Sequence, residues 1–421
     1  MENNIKAGFG RMNITPPLDI SLEGSWGDIF PQGVDSELYV NALAMDDGTN
    51  EIILLSVDIC WVPWKVFVDM RDAISDACGI PAESIIISAT HTHTGPRLQE
   101  QNYDAYTGNL KQLAVTAARL AQKQKQTVRI GVGKDTNSKY VHNRRLKRPD
   151  GSITMNWIRG ESIKDCMETG AVDPEVLAIR FEDDGGRTVG FIINYANHNN
   201  AFDENKISSD ISGHISDILR KVYGENIGII FLLGACGNVN WIDIKNPSWG
   251  SSGHYKKIAT SLAGTILGII AEMEYPKVER IKVDSRILVE KERPFNDYDT
   301  CTDMTFGGDP IFPHFLNVKK ERSGKPLMDY CLDVHTLSLG EDIVLATSPA
   351  ELFADYGLEI KSGSPFKYTF VAELTNGCVF YMPTPEAYKE GGYEVRKPAT
   401  ELHVEAGERL VKNTLEMLNS L

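Results

Sequence analysis

Short runs of branched apolar residues recur along this chain, and most are followed by a longer segment with helical spacing. "EIILLSVD" (51–58) reads as a buried strand, and "WKVFVDMRDAISDACG" as a helix closed by Gly79. "SIIISATH" is the next strand. The segment 104–124 then sets Leu110, Leu113, Ala114, Ala117 and Leu120 on one helical stripe. "TVGFIINYANH" and "IGIIFLLGACG" read as strands separated by a helix near 212–223. "SGHYKKIATSLAGTILGIIAEM" is another helix and "VERIKVDSRILVEKERP" a long strand. "DIVLATSPAELFADYGLEIKSG" reads as strand, turn and helix, "YTFVAEL" and "GCVFYMPT" follow, and a last helix runs from about residue 400. This alternation restricts the chain to the α/β class, with mixed sheets and flanking helices. No repeat of fixed period and no Gly-, Ser- or Pro-rich linker interrupts it, so residues 1–421 are expected to form a single large domain. The least regular stretch, 294–326, suits either a lid over a pocket or an ordinary surface insertion.

Chemistry-bearing residues cluster where the apolar runs end. In "SATHTHTGP" (88–96), His91 and His93 follow Ile85-Ile86-Ile87 directly. In an extended segment the two would share a face, with Cα atoms roughly 6.5–7 Å apart at about 3.3 Å rise per residue. Both rings can then reach one metal ion, or one a metal and the other its substrate. Gly95-Pro96 ends the strand, and strand ends are where α/β proteins place ligands. Ordinary hydrogen-bonded histidines remain the alternative, and spacing cannot choose between His91 and His93 as a ligand.

Bulk properties narrow the partners. The 421 residues carry 43 Lys+Arg against 58 Asp+Glu, a net charge of −15, which disfavours nucleic acid. The one basic cluster, "NRRLKRP" (143–149), is short enough to be a local anion or substrate contact. Seven cysteines lie scattered without CxxC pairs, and Cys60, Cys78 and Cys236 sit in apolar contexts that suit buried reduced thiols. The N-terminus lacks a secretory apolar region, and the run 227–236 is about half the roughly 20 residues that span a bilayer. The expectation is a soluble cytoplasmic protein with a small-molecule substrate and no nucleic-acid or membrane partner.

Three other strand ends carry candidate ligands. "INYANHNN" places His198 after an apolar strand, "LATSPAELF" places Glu351 at the start of a helix, and "GCVFYMPT" places Tyr381 at the end of a strand. Read alone, His198 could be structural, Glu351 a residue favoured by the helix dipole, and Tyr381 core. In order, these segments resemble the catalytic domain of the neutral/alkaline non-lysosomal ceramidase family. The resemblance runs through "AGFGRMNITPP", "SVDIC", "ISATHTHTGP", "NYANH", "ISSDISGHI", "GACGNVN", "SPAELFADYGLEIK" and "NGCVFYMPTPEAYKEGGYEV". It spans nearly the whole chain and leaves no counterpart for that family's C-terminal immunoglobulin-like domain.

The resemblance implies one zinc ion held by His91, His198, Glu351 and Tyr381. His93, Arg144 and Tyr393 would then face substrate or metal-bound water. With N and O donors and no thiolate, zinc leads and manganese or iron are the alternatives. The family's nucleophilic serine falls on Asn240 in "GNVNW", and an amide cannot attack a carbonyl; Asn240 can at most donate to an oxyanion. The expected activity is therefore hydrolysis of an amide or ester in a small polar substrate by metal-activated water. A zinc lyase or isomerase acting on a hydroxy acid or sugar derivative, and a non-catalytic zinc-containing binding protein, are the alternatives.

Overall fold

The computed structural model describes residues 5–24, 27–98, 104–158, 163–246, 253–295, 299 and 324–421. The expected lid at 294–326 falls almost entirely outside them. Three mixed sheets form the framework. The first, in order β4-β3-β2-β1-β5, joins β1 (Lys6–Asn13), β2 (Tyr39–Asp46), β3 (Glu51–Val57), β4 (Ile85–Ala89) and β5 (Gln126–Thr127). Only β3 and β4 run parallel, with helix α1 (Trp64–Cys78) in the crossover between them. Helix α1 buries Phe67, Met70 and Ile74, one helical stripe. It stops where Gly79 turns left-handed (φ 69°) and its N–H returns to the Ser75 carbonyl.

The second sheet, β13-β12-β11-β6, contains β6 (Arg129–Thr136), β11 (Glu175–Glu182), β12 (Thr188–Tyr195) and β13 (Gly228–Leu233). Here β12 and β13 are the parallel pair, and α3 (Asp210–Tyr223) connects them. The third, β15-β16-β17-β19, contains β15 (Ile281–Lys291), β16 (Asp329–Leu339), β17 (Ile343–Thr347) and β19 (Tyr368–Ala372). Its parallel pair β17–β19 is bridged by α5 (Ala354–Gly363). Each sheet thus repeats one device: a strand, a helix, and a parallel neighbour whose C-terminal end points the same way.

One core lies where the three sheets meet, joining Phe9, Leu43 and Leu54 of the first, Phe181, Ile192 and Leu232 of the second, and Leu337, Leu345 and Phe370 of the third. Helices cover the outer faces. Helix α2 (Asp104–Lys123) packs on β1 and β2, α4 (His254–Ala271) on β6 and β11, and α5 and α7 (Ala406–Ser420) on the third sheet. The opening motif "AGFGR" explains itself in this packing. A Cβ on Gly8 would lie 2.3 Å from the Ala121 carbonyl oxygen, and one on Gly10 2.1 Å from that of Ala117. The two glycines let β1 touch the backbone of α2, while Phe9 between them points into the inter-sheet core.

Short pairings finish the architecture near the strand ends. β7 (His142–Asn143) pairs with β14 (Val239–Asn240), and β18 (Glu351–Leu352) runs parallel to β20 (Tyr381–Met382). A small sheet, β10-β8-β9, comprises β8 (Arg145–Lys147), β9 (Ile153–Met155) and β10 (Met167–Glu168), and a short α6 (Pro385–Glu390) precedes α7. The last helix starts at Ala406, later than the sequence suggested: the backbone at 400–405 instead bridges to Phe380 and Glu292.

Candidate metal centre

The site collects at the C-terminal ends of the parallel strands. β4 ends at Ala89, and the following turn takes His91 to φ 65°, so His91 and His93 do not share a face of an extended strand. The turn brings their rings together by another route, with Nε2 atoms 3.2 Å apart. His91 Nδ1 lies 2.9 Å from the Cys60 carbonyl oxygen, and His198, beyond β12, sets its Nδ1 3.0 Å from the Cys236 carbonyl oxygen. A carbonyl only accepts, so each Nδ1 carries a proton, and in the neutral ring it is Nε2 that keeps the lone pair.

Both lone pairs meet the Glu351 carboxylate. Glu351 Oε2 lies 3.5 Å from His91 Nε2 and 3.4 Å from His198 Nε2. All three residues are at least 98% buried, and Oε2 accepts no hydrogen bond among the described residues. Glu351 is not in a helical turn, contrary to the sequence expectation. It belongs to β18, paired in register with Tyr381 of β20, and α5 begins only at Ala354. The helix dipole therefore does not account for this glutamate. The donor atoms of His91, His198 and Glu351 all fall within 4.8 Å of one another.

Two imidazole Nε2 atoms and a buried carboxylate oxygen without a hydrogen bond among the described residues suit a borderline divalent cation such as zinc. Burial, and then the nearby Arg144 charge, pull His198 down to about 4, which keeps its ring neutral and able to ligate. A second group within ligating distance, Cys60, His91 and His93, fits less well. Burial, with Glu23 and Glu351 adding to it, pushes the Cys60 thiol well up and away from the thiolate a metal needs.

Arg144 is buried beside the donors, with Nη1 3.0 Å from His198 Nε2. Its Nε donates to Glu394 Oε1 at 2.8 Å, and Arg145 Nη1 holds the other Glu394 oxygen at 2.9 Å. Two arginines thus share one carboxylate, and the buried triad keeps one net positive charge. Arg144 Nη2 has no hydrogen-bond partner among the described residues. Burial works against that charge, but Tyr381, Glu394 and Glu351 outweigh it and hold the guanidinium protonated. Its Cζ lies 4.9 Å from the Tyr381 ring centre and 5.9 Å from that of Tyr393, and the two rings stand edge to face at 5.7 Å. Trp157 closes on Tyr393 at 5.5 Å. Burial raises the Tyr381 phenol well above its usual value, so a cation would be needed to ionise it.

Of the eight residues singled out in the sequence, seven are buried and His93 is half-buried, its ring against Gly24, where a Cβ would lie 2.6 Å away. Asn240 is the one whose surroundings argue against its expected part. It forms a reciprocal amide pair with Asn156, each Nδ2 2.8 Å from the other's Oδ1, and its Oδ1 also accepts from the Ile242 N–H. The amide joins β14 to the loop after β9. Sequence reasoning also missed Glu394, Arg145 and Glu373. Glu373 closes the apolar run of β19, and an acid ending such a run was the available signal.

No helix among the described residues is long and apolar enough to cross a membrane. No family model matches the sequence. Among solved structures, a neutral ceramidase from Pseudomonas aeruginosa superposes with a TM-score of 0.74 at 16% identity, covering 99% of this chain and 74% of that one. A ceramidase complexed with C2 gives 0.74 at 15% identity, covering 99% and 75%. At these identities the likeness speaks for architecture, and there it extends from end to end: this chain has the neutral ceramidase fold.

Proposed function

We propose that the chain is a zinc-dependent hydrolase that cleaves an amide or ester bond in a small polar substrate. The observation that carries the reading is the convergence of two imidazole Nε2 atoms on a buried carboxylate oxygen to which no described residue donates a hydrogen bond. Arg144 Nη1 offsets His198 Nε2 at 3.0 Å, and an ion between the three donors would offset the carboxylate and His91 as well. His91, His198 and Glu351 would hold the ion, with Tyr381 as fourth ligand. Bound zinc would supply Lewis acidity and water acidic enough to ionise near neutral pH.

The remaining roles belong to the chain. Arg144 Nη2, unpaired and cationic, would bind the substrate's carbonyl oxygen or a carboxylate beside it, and this favours a polar acyl group. Tyr381 and Tyr393 wall the guanidinium and fix its plane. His93, the most accessible of the set, would take a proton at Nε2 and deliver it to the leaving amine or alcohol. Asn240 offers no nucleophile, so no covalent step runs through it.

Elemental analysis of freshly purified protein should find one zinc per chain. His198→Ala and Glu351→Ala should lose most of it, whereas His93→Ala should keep the metal and lose turnover. Less than about a tenth of an equivalent in the wild type would remove the basis of the site. Label from heavy-oxygen water must enter the product; unlabelled product with metal-dependent turnover would point instead to a lyase or isomerase.

A further inference from the structure

Arg144 and Arg145 are neighbours in sequence, and neighbours in a continuous strand face opposite ways. Here the strand is interrupted: Arg144 is the single residue between β7 and β8, and both side chains reach the same carboxylate, that of Glu394. The backbone of Arg144 is held on two sides. Its N–H donates to the Asn238 carbonyl at 2.9 Å, and its own carbonyl accepts from the Asn156 N–H at 2.8 Å. Arg145 is seated just beyond α6, where its Nη2 donates to the Gly391 carbonyl at 2.6 Å. Gly392 leaves the room this needs, since a Cβ there would lie 2.6 Å from Arg145 Nη1. The short stretch "GGYE" (391–394) therefore seats Arg145 with its glycines, walls Arg144 with Tyr393, and joins the two guanidinium groups through the fully buried Glu394.

The way Glu394 is shared decides what Arg144 can offer. Its Nε lies in the guanidinium plane, so the 2.8 Å bond from Nε to Glu394 Oε1 fixes that plane. A carboxylate beside an arginine often takes two of its N–H groups at once. Here the second oxygen, Oε2, is already held by Arg145 Nη1 at 2.9 Å. Nη1 of Arg144 then faces His198 Nε2, and Nη2 keeps no hydrogen-bond partner among the described residues.

We propose that Glu394 is a positioning residue for Arg144: it sets the guanidinium plane through Nε, while Arg145, by occupying its other oxygen, leaves Arg144 Nη2 open to a substrate oxygen. This rests on the part given to Arg144 in the proposed function and adds the residues that hold it in place.

The test is calorimetric titration of acetate into the zinc-loaded full chain, with hydrolysis of p-nitrophenyl acetate as a second readout. Glu394→Gln keeps one carbonyl oxygen and sets an amide donor against the other guanidinium. It should weaken acetate binding by about tenfold or more. It should also lower kcat for the ester by about 10–100-fold with little change in KM, at wild-type zinc content. In an Arg144→Gln background the same substitution should add nothing to either loss, because it acts through Arg144. A merely structural glutamate would give equal losses with and without Arg144. If Glu394→Gln does not fold, Glu394→Asp, which keeps the charge and withdraws it by one methylene, takes its place in the same cycle. Acetate affinity that falls with Arg144→Gln but not with the Glu394 variants overturns the proposal and leaves the role of Arg144 standing. Acetate binding that is absent, or indifferent to Arg144→Gln, overturns both. Non-additive acetate losses without any ester turnover would keep the positioning role and remove the hydrolase reading.

Discussion

Glu373 offers the sharpest test of how the metal centre is built. It is fully buried behind the site, and one oxygen accepts from two backbone donors: the Leu352 N–H at 2.7 Å and the Cys236 N–H at 3.1 Å. Its other oxygen lies 3.0 Å from Cys236 Sγ. Leu352 follows Glu351, and the Cys236 carbonyl orients His198, so one carboxyl ties together the two loops that present these donors. Burial, with Glu351 adding to it, raises Glu373 well above the usual carboxylate range despite the Cys236 bonds. Glu373→Ala leaves two buried N–H groups unpaired, at roughly 1–3 kcal/mol each, plus a cavity, for a loss of about 3–6 kcal/mol. Glu373→Gln keeps a carbonyl oxygen for the two N–H groups and should cost about 1 kcal/mol or less if the acid is neutral. The stability that a raised carboxyl contributes is full below its unfolded value of about 4.3 and is lost as pH rises through its folded value. The wild type should therefore lose stability towards alkaline pH relative to Glu373→Gln. Urea melts across pH measure both effects, and metal titration of whatever Glu373→Ala folds should show affinity down by about 10–100-fold. An alanine variant as stable as the wild type, or wild-type and glutamine profiles that run parallel with pH, would refute the reasoning.

Two further substitutions test the site's surroundings. Asn240→Ala and Asn156→Ala should each cost roughly 1–3 kcal/mol, with strong non-additivity in the double variant, because each amide loses the same partner. Turnover of folded Asn240→Ala should change far less than the roughly 10²–10³-fold expected for a lost oxyanion donor, and mass spectrometry of a quenched reaction should find no substrate adduct on the wild type. Gly237→Ala would put a Cβ 2.4 Å from the Glu351 carbonyl oxygen, backbone against backbone. It should cost about 1–3 kcal/mol and reduce metal content, read by melting and elemental analysis, whereas a variant indistinguishable from wild type would show that the loop gives way freely.

The sheet framework was legible because its strands are continuous apolar runs and its helices carry clean stripes. β3, α1 and β4 appear nearly where "EIILLSVD", the Gly79-closed segment and "SIIISATH" put them. His91 and His198 were legible as polar residues closing such runs. The route by which His91 reaches the site was not, since a positive φ at histidine has no sequence signature. Glu351 and Tyr381 owe their places to a two-residue pairing between segments remote in sequence, which local periodicity cannot register. The same holds for "NRRLKRP": the cluster suggested a local anion or substrate contact, and its spacing could not show that Arg144 and Arg145 are buried around Glu394, a partner some 250 residues away. The pairing of Asn240 with Asn156 was hidden for a related reason, because no spacing rule connects the two.

The expected ligands leave the chain at four separate strand ends, from His91 through His198 and Glu351 to Tyr381, and no contiguous stretch holds more than a fragment of the set. During synthesis the two histidines emerge long before the tyrosine, and until the third sheet closes they have no common geometry to offer. Pairings of such large sequence separation are the slow ones in folding, because loop closure must precede any gain. The proposed metal centre is thus expected to form late in folding. Any ion it takes stabilises the finished molecule alone, so metal loading counts completed folds in a preparation.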